Sequence, residues 1–391
     1  MHIVILFVNI GSYHAARLKA AHAACESRGW TMTAIQVTDN TLQHPWGNLK
    51  KEITFPVETL LPIATTPLTD DVGANSVDAV PKLNSCLNQL CPHVVLVPGW
   101  GFPISRAALE WCRRNKVPAV LMSESKHDDE KRVWWKEVIK SHLYVRQFAA
   151  AIVGGQPHYK YIVRLGLAPE RTFIGYDVVD NEYFMRASQA ARDKPEEARR
   201  RQPNIPERPY FLSMTRFLPR KNLSRLIHAY KAYRQERSLE EAWDLVVCGA
   251  GEEESSIRQL IDENGLANRV HLPGFLPYDA LPDWYGLTGA FIHPAIQEQW
   301  GLVLNEACAS GLPILCSKTV GARYDLVNDG NNGFLFDPYS VGEITSVLLK
   351  MHHLGAQQRA EMGGQSWKIV AEFGPERFAE GVLKAVDVCT S

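Results

Sequence analysis

The stretch AFIHPAIQEQWGLVLNEACASGLPILCS, residues 290–317, runs from a short apolar segment through a polar loop and an apolar-rich segment to a second short apolar run. Pro294 lacks an N–H and biases its predecessor toward extended geometry, so AFIHP is expected to end a strand. Gly301 is placed to open a helix over LVLNEACAS, and LPILCS (312–317) restores an extended run. Strand, helix, strand in this order is the unit of a parallel sheet. Glu298 then falls in the loop, and Glu306 lies within the helix, roughly 7 Å along its axis from the start. Between them lie the first N–H groups of the helix, around Leu302 and Val303. Such a terminus binds phosphate through oriented donors and the positive dipole end. Ionised carboxylates only accept, and a sugar nucleotide offers O–H donors on both sides of its diphosphate. On this spacing alone a surface helix with two exposed glutamates is the better account, so the rest of the chain has to decide.

Working outward, the same alternation recurs. Before the quoted stretch come YFLSMT (210–215), a helical stretch around 221–236, DLVVCG (244–249), another around 252–264, and RVHLPG (269–274). The first half repeats it with HIVILFV (2–8), a helix over 15–29, TMTAIQV (31–37), HVVLVPG (93–99), a helix over 104–115, VPAVLM (117–122) and AAAIVGG (149–155). Continuous Val/Ile/Leu runs separated by amphipathic segments predict parallel sheets covered on both faces. Residues 38–80 show weak periodicity and receive no assignment. The polar stretch 187–209 holds four prolines and the run Arg199-Arg200-Arg201, and is expected to be a solvated linker. The expected organisation is an amino-terminal domain over 1–190, a linker over 191–208 and a second domain over 209–372. Two doubly wound domains are expected to leave a cleft at the carboxyl ends of their sheets, where open α/β sheets hold ligands.

Composition narrows the classes. The 391 residues carry 46% hydrophobic and 22% charged side chains with a formal net charge of −1, so no global basic field attracts nucleic acid. The eight cysteines include no CxxC pair, which fits reduced thiols in a cytoplasmic protein better than zinc or a disulfide framework. The opening MHIVILFVNIG lacks a basic leader and a small-residue cleavage site and is expected to be a buried strand.

Two further stretches carry chemistry. MTRFLPRKNLSRLI (214–227) follows a strand and opens a helix, with Arg216 and Lys221 in the turn. Two cations there would neutralise a diphosphate leaving group as its charge builds. VVCGAGEEESSI (246–257) places Gly249 and Gly251 after a strand, allowing a ligand or helix to approach the backbone. As G-x-G without a third spaced glycine it is a weak dinucleotide signal.

Taken together, TRFLPRKN (215–222), VVCGAGEEE (246–254), VHLPGFLPYDALPDWY (270–285), FIHPAIQEQWGLVLNEACASGLPIL (291–315) and GARYDLVNDGNNGFLFDP (321–338) resemble the donor domain of a family-4 retaining glycosyltransferase of the GT-B fold, the glycosyl transferases group 1. The resemblance is strong over roughly 208–385 and weak before it. It implies two Rossmann-like domains facing each other across a central cleft, with the final segment, 373–391, a helix returning to the first. It assigns Arg216 and Lys221 to the donor diphosphate and Glu298 to the transferred sugar. Glu306 falls to the ribose, and the main chain at Gly301, Leu302 and Val303 to the phosphates. PGFLP (273–277), with Phe275, lines the base pocket through backbone more than side chain, and Gly249 is counted among the donor-binding residues. Gly11 and Ser12 match a donor-facing loop that is commonly richer in glycine. His127, in SESKHDDEKR (123–132), is the candidate for a polar residue near the reacting sugar, with Glu124 a rival and a plain exposed loop histidine the simpler account.

Asp128-Asp129 invites a metal reading, but relatives take their positive charge from Arg, Lys and the helix dipole, so no metal or other cofactor is expected. The segment VWWKEVIKSHLYVR (133–146) could rest on a membrane interface or hold a lipid-like acceptor; core packing is the preferred expectation. The activity implied is transfer of a sugar from a nucleoside-diphosphate sugar to a hydroxyl acceptor with retained configuration. The alternatives are a catalytically silent sugar-nucleotide or glycan-binding protein and, further off, an NAD-dependent oxidoreductase suggested by GAGEEE. Donor base, sugar and acceptor are not named by these residues.

Overall fold

Strands that read as unbroken apolar runs need cover on both faces, and two parallel sheets with flanking helices provide it. The computed structural model describes residues 1–39, 53–61, 78–236 and 242–390. It divides into two units, Met1–Val179 with Phe373–Ser391, and Asp180–Glu372.

The first unit contains β1 (His2–Phe7), α1 (Ser12–Ser27), β2 (Thr31–Gln36), β3 (Val57–Thr59), α2 (Ala79–Leu90), β4 (Val94–Pro98), α3 (Pro103–Asn115), β5 (Ala119–Ser123), α4 (Trp134–Leu143), β6 (Ala150–Val153), α5 (Gln156–Arg164) and β7 (Thr172–Ile174). Its strands lie in the order β3-β2-β1-β4-β5-β6-β7, paired in parallel throughout. Val4, Leu6, Val95, Val97 and Leu121 sit among the residues of one buried cluster. Within residues 38–80, left unassigned above, Val57–Thr59 is the strand among the described residues.

The second unit contains α6 (Asn181–Asp193), α7 (Pro195–Arg201), β8 (Tyr210–Met214), α8 (Leu223–Gln235), β9 (Asp244–Cys248), α9 (Glu254–Glu263), β10 (Val270–Gly274), α10 (Leu281–Leu287), β11 (Ala290–His293), α11 (Leu302–Ala309), β12 (Ile314–Ser317), α12 (Arg323–Leu326), β13 (Gly333–Phe336), α13 (Val341–His353) and α14 (Ala356–Val370). The strand order is β10-β9-β8-β11-β12-β13, again all parallel. The order reverses between β8 and β11, which makes their carboxyl ends the place where an open α/β sheet receives a ligand.

The final helix, α15 (Pro375–Thr390), belongs to the first unit and packs on α1 and β6. Gly381 permits that approach: a Cβ there would stand 3.3 Å from Ile152 Cγ2.

The linker expectation over 191–208 needs correction. The boundary between units falls at Val179 and Asp180, and Pro195–Arg201 is a helix of the second unit. Its polar composition hides two anchors: Ala198 is buried, and Arg201 makes a two-pronged ion pair with Asp283 at 2.7 and 3.0 Å. Proline at the first helical position removes a donor that would have no partner there anyway.

No helix among the described residues is long and apolar enough to cross a membrane.

Candidate active site

The site grows from the switch point of the second sheet. Beyond β8 the chain is laced to the end of β9: Thr215 N–H donates to Cys248 O at 3.0 Å and Phe217 N–H to Ala250 O at 2.9 Å. Gly249 and Gly251 make the lacing possible. Gly249 has φ +135°, and a Cβ on it would lie 1.8 Å from Thr215 O; one on Gly251 would lie 2.4 Å from Phe217 O. Of the ligand or chain segment expected to approach closely there, the chain's own 215–217 backbone is the one in place. Gly249 therefore serves the loop that carries Arg216, and nothing in GAGEEE calls for a dinucleotide.

A short turn, Pro219–Lys221, then leads to Asn222, held at φ +63°. Its side-chain amide donates to Pro294 O at 3.0 Å and Pro338 O at 2.8 Å, while Ile296 N–H donates to Arg220 O at 2.9 Å. These bonds fix the loop after β8 against the loop after β11.

The result is an ionic cluster. Lys221, buried, donates from Nζ to Glu298 Oε2. His293, the last residue of β11 and also buried, stands with Nε2 3.0 Å from the same oxygen. Because a carboxylate only accepts, that contact places the ring proton on Nε2, and Nδ1 is left buried without a partner. Arg220 Nη1 lies 3.9 Å from Glu298 Oε1, and Arg216 is exposed nearby, close enough for its charge to act on Lys221. Burial alone would raise the Glu298 carboxyl, but Lys221 and the His293 hydrogen bond outweigh it and hold it well below the usual carboxylate range. Burial lowers His293, against the pull of Glu298. Burial also lowers Lys221, and Glu298 only partly restores its proton affinity. Lys221 and Arg220 face one carboxylate with the Arg216 charge nearby, a surplus suited to an anion.

The helix that follows is the one read from the sequence. Gly301 precedes α11 with φ +102°, and a Cβ on it would stand 3.2 Å from Glu298 Cγ. The first N–H groups of α11, on half-buried Leu302 and Val303, have no partner within the helix. Trp300 is buried and donates through Nε1 to Asn305 Oδ1 at 2.8 Å, locking the loop onto α11. Glu306, 1% exposed, accepts from Tyr285 Oη at 2.6 Å. Neither glutamate lies in open solvent, so the surface-helix account fails. Phe275 is exposed just after Gly274, whose carbonyl accepts from Gly249 N–H at 2.8 Å.

Arg216, Lys221, Glu298, Gly301, Leu302, Val303 and Glu306 thus belong to one region of the second unit. Gly249 and Phe275 lie in the same unit, and the remaining three expected residues, Gly11, Ser12 and His127, belong to the first. Gly11 caps α1 with extended backbone, its N–H donating to His14 Nδ1 at 3.1 Å, and Ser12 is buried beside it. Both follow β1, which borders that sheet's own switch point between β1 and β4. His127 is exposed beyond β5, with Nε2 3.2 Å from Arg164 Nη1. Its rival Glu124 hydrogen-bonds Asp177, whose burial together with that neighbour raises its pKa. Asp128 and Asp129 face Lys126 Nζ at 2.9 and 3.2 Å.

Four contributors were not singled out from the sequence: Arg220, Asn222, Tyr285 and His293. His293 carried a signal, a histidine closing an apolar strand directly before proline.

Residues 195–366 match the family model described as glycosyl transferases group 1. The probable sucrose-phosphate synthase 1 of Oryza sativa subsp. indica is 33% identical over 162 residues, covering 37% of this chain and 15% of that protein; the chain thus aligns with only a small part of the curated relatives it matches. Anabaena HepE in complex with UDP superposes with a TM-score of 0.73 at 18% identity, over 99% of this chain and 100% of that one. A glycosyltransferase from Rickettsia africae superposes with a TM-score of 0.76 at 12% identity, over 100% and 99%. Two parallel-sheet α/β domains of the GT-B type are the fold these likenesses show.

Proposed function

With the second unit carrying a glycosyl transferases group 1 module, we propose that this protein is a glycosyltransferase that moves a sugar from a nucleoside-diphosphate sugar to a hydroxyl acceptor with retained anomeric configuration. The observation that carries the reading is the pairing of Lys221 and Arg220 with Glu298 ahead of α11, with the Arg216 charge close to Lys221. In the transfer, the bond from the anomeric carbon to the phosphate oxygen breaks and the acceptor oxygen bonds to that carbon. The acceptor's proton passes to the departing phosphate. Negative charge grows on the diphosphate, where Arg216, Arg220, Lys221 and the N–H groups of Leu302 and Val303 stabilise it. Glu298, kept ionised by Lys221 and His293, accepts from sugar hydroxyls and steadies an oxocarbenium-like carbon. Glu306, beside Tyr285, accepts from the ribose.

The positive charge comes from the protein, so the transfer proceeds without a metal. In the first unit, Gly11, Ser12 and His127 are assigned to donor or acceptor contacts on the resemblance alone. All eight cysteines are free, which suits a reducing compartment such as the cytoplasm.

Calorimetric titration with UDP, GDP and ADP, followed by proton NMR of the product's anomeric signal, tests the reading. Binding of one nucleotide and a product of unchanged anomeric configuration are expected. Nucleotide binding without transfer to any hydroxyl acceptor would make the chain a binding protein; inverted product would remove retention.

A further inference from the structure

Helix α4 faces the wrong way for a soluble helix. Its polar side is turned into the first unit: Lys140 Nζ donates to Glu137 Oε1 and Tyr161 Oη, both at 2.8 Å, Tyr161 Oη donates to Glu137 Oε2 at 2.7 Å, and buried Ser141 donates to Leu165 O. Its apolar side is turned out. Trp134 is 77% exposed, Trp135 48% and Leu143 54%, with Val138 and Ile139 exposed between them. At 3.6 residues per turn these five side chains spread over about half the circumference. The core packing expected from the amphipathic pattern is therefore overturned. The periodicity was right, but the buried face is the polar one, because Tyr161 and the Leu165 carbonyl need partners that only Glu137, Lys140 and Ser141 supply.

The charges around the helix are sorted as well. Each carboxylate from Asp128 to Glu137 has a cationic partner: Asp128 and Asp129 share Lys126, Glu130 pairs with Arg132, and Glu137 with Lys140. Lys131 and Lys136 are exposed and carry no carboxylate partner among the described residues; Lys136 Nζ lies over the Trp135 ring at 5.6 Å. At the far end Leu143 joins a surface groove of about 740 Å³ lined also by Leu109, Phe148 and Arg106.

We propose that α4 is an interfacial anchor that lies in the headgroup region of a bilayer containing anionic lipid, with Trp134, Trp135, Val138, Ile139 and Leu143 inserted and Lys131 and Lys136 paired to lipid phosphate. Tryptophan suits this zone, apolar at one end and wet at the other. At ten residues the helix is far too short to span, so it lies along the surface. A second copy of the chain fits less well, since a two-fold contact would bring like-charged lysines together around the patch.

The test uses the full chain and sedimentation with vesicles of phosphatidylcholine alone or mixed with phosphatidylglycerol. Sedimentation with the mixed vesicles, weakened by salt, is expected. Removing the double tryptophan pair (Trp134→Ser with Trp135→Ser) should lower partitioning roughly tenfold. Lys131→Gln and Lys136→Gln should each lower it about fivefold. These side chains are exposed, and unchanged circular dichroism checks that the variants fold. Absence of binding to mixed vesicles overturns the proposal, as does equal binding by the tryptophan variant. So does a concentration-dependent dimer that the same variant dissolves without any lipid binding.

Discussion

Lys221 and Glu298, 77 residues apart in sequence, form a largely buried ion pair in the loops beyond the carboxyl ends of adjacent strands. Glu298 is shared with His293 on one side and approached by Arg220 on the other. A charge pair of this kind offsets part of the cost of burying either member alone, and it leaves the carboxylate ionised and oriented.

Removing either member should therefore cost twice. Lys221→Ala and Glu298→Ala are expected to lower turnover by at least about a hundredfold, the scale of losing one preorganised charge partner. Each should also lower stability by roughly 3 kcal/mol, because the remaining charge is stranded. Nucleotide release in the presence of donor and acceptor reads the first, and urea unfolding the second. Turnover close to wild type in both variants would end the assigned roles.

Gly301→Ala probes how the helix start meets Glu298. The backbone there has φ +102°, and the new methyl would press on Glu298 Cγ. Strain of about 1–2 kcal/mol is expected, with kcat falling while circular dichroism stays native. An alanine variant of full activity would show that the turn tolerates displacement.

Gly249→Ala acts through the loop that bears Arg216. Its methyl would collide with Thr215 O, so the loop bearing Arg216 must shift. Weaker nucleotide binding by calorimetry is expected, together with a lower unfolding midpoint. Loss of stability with unchanged nucleotide affinity would detach Arg216 from the donor.

Acid should weaken the second unit through the same cluster. Burial holds His293 below its ordinary 6.5. Above that pH the ring is neutral in both folded and unfolded chains; as pH falls through it, the unfolded ring takes a proton that the folded one refuses, and stability drops. Glu298, depressed below 4.5, keeps its contribution above that pH and loses it only in stronger acid. Between pH 7.5 and 5.5, His293→Gln should lose less stability than the unmodified chain, by about 1 kcal/mol. Parallel declines in urea titrations would place the acid-sensitive group elsewhere.

Chelation separates protein-borne from metal-borne charge. With Arg216, Arg220 and Lys221 supplying the cations, nucleotide release is expected to be unchanged after EDTA treatment. A loss restored by Mg²⁺ or Mn²⁺ would assign part of the charge to a metal.

What was legible in the sequence followed its local chemistry. Apolar runs ending at Pro294 and resuming at Leu312 announce their strands, and the Glu298-to-Glu306 spacing defines a loop and a helix by short-range rules. Pairings between distant residues were not legible: nothing near Lys221 names Glu298, and nothing near Glu306 names Tyr285. The error at 191–208 arose because arginine-rich polarity looks like solvated chain, whereas one buried alanine and the Arg201–Asp283 pair suffice to dock a short helix. For α4, periodicity revealed two faces but not which one turns inward.

The pairing of β8 with β11 brings Lys221 and Glu298 together, and it spans both halves of the second sheet. A nascent chain that has emerged only through β10 lacks the carboxylate altogether, and one with mispaired strands has both charges in the wrong places. Neither can assemble the pair. The charge cluster and the strand order that carries it are thereby acquired in a single event.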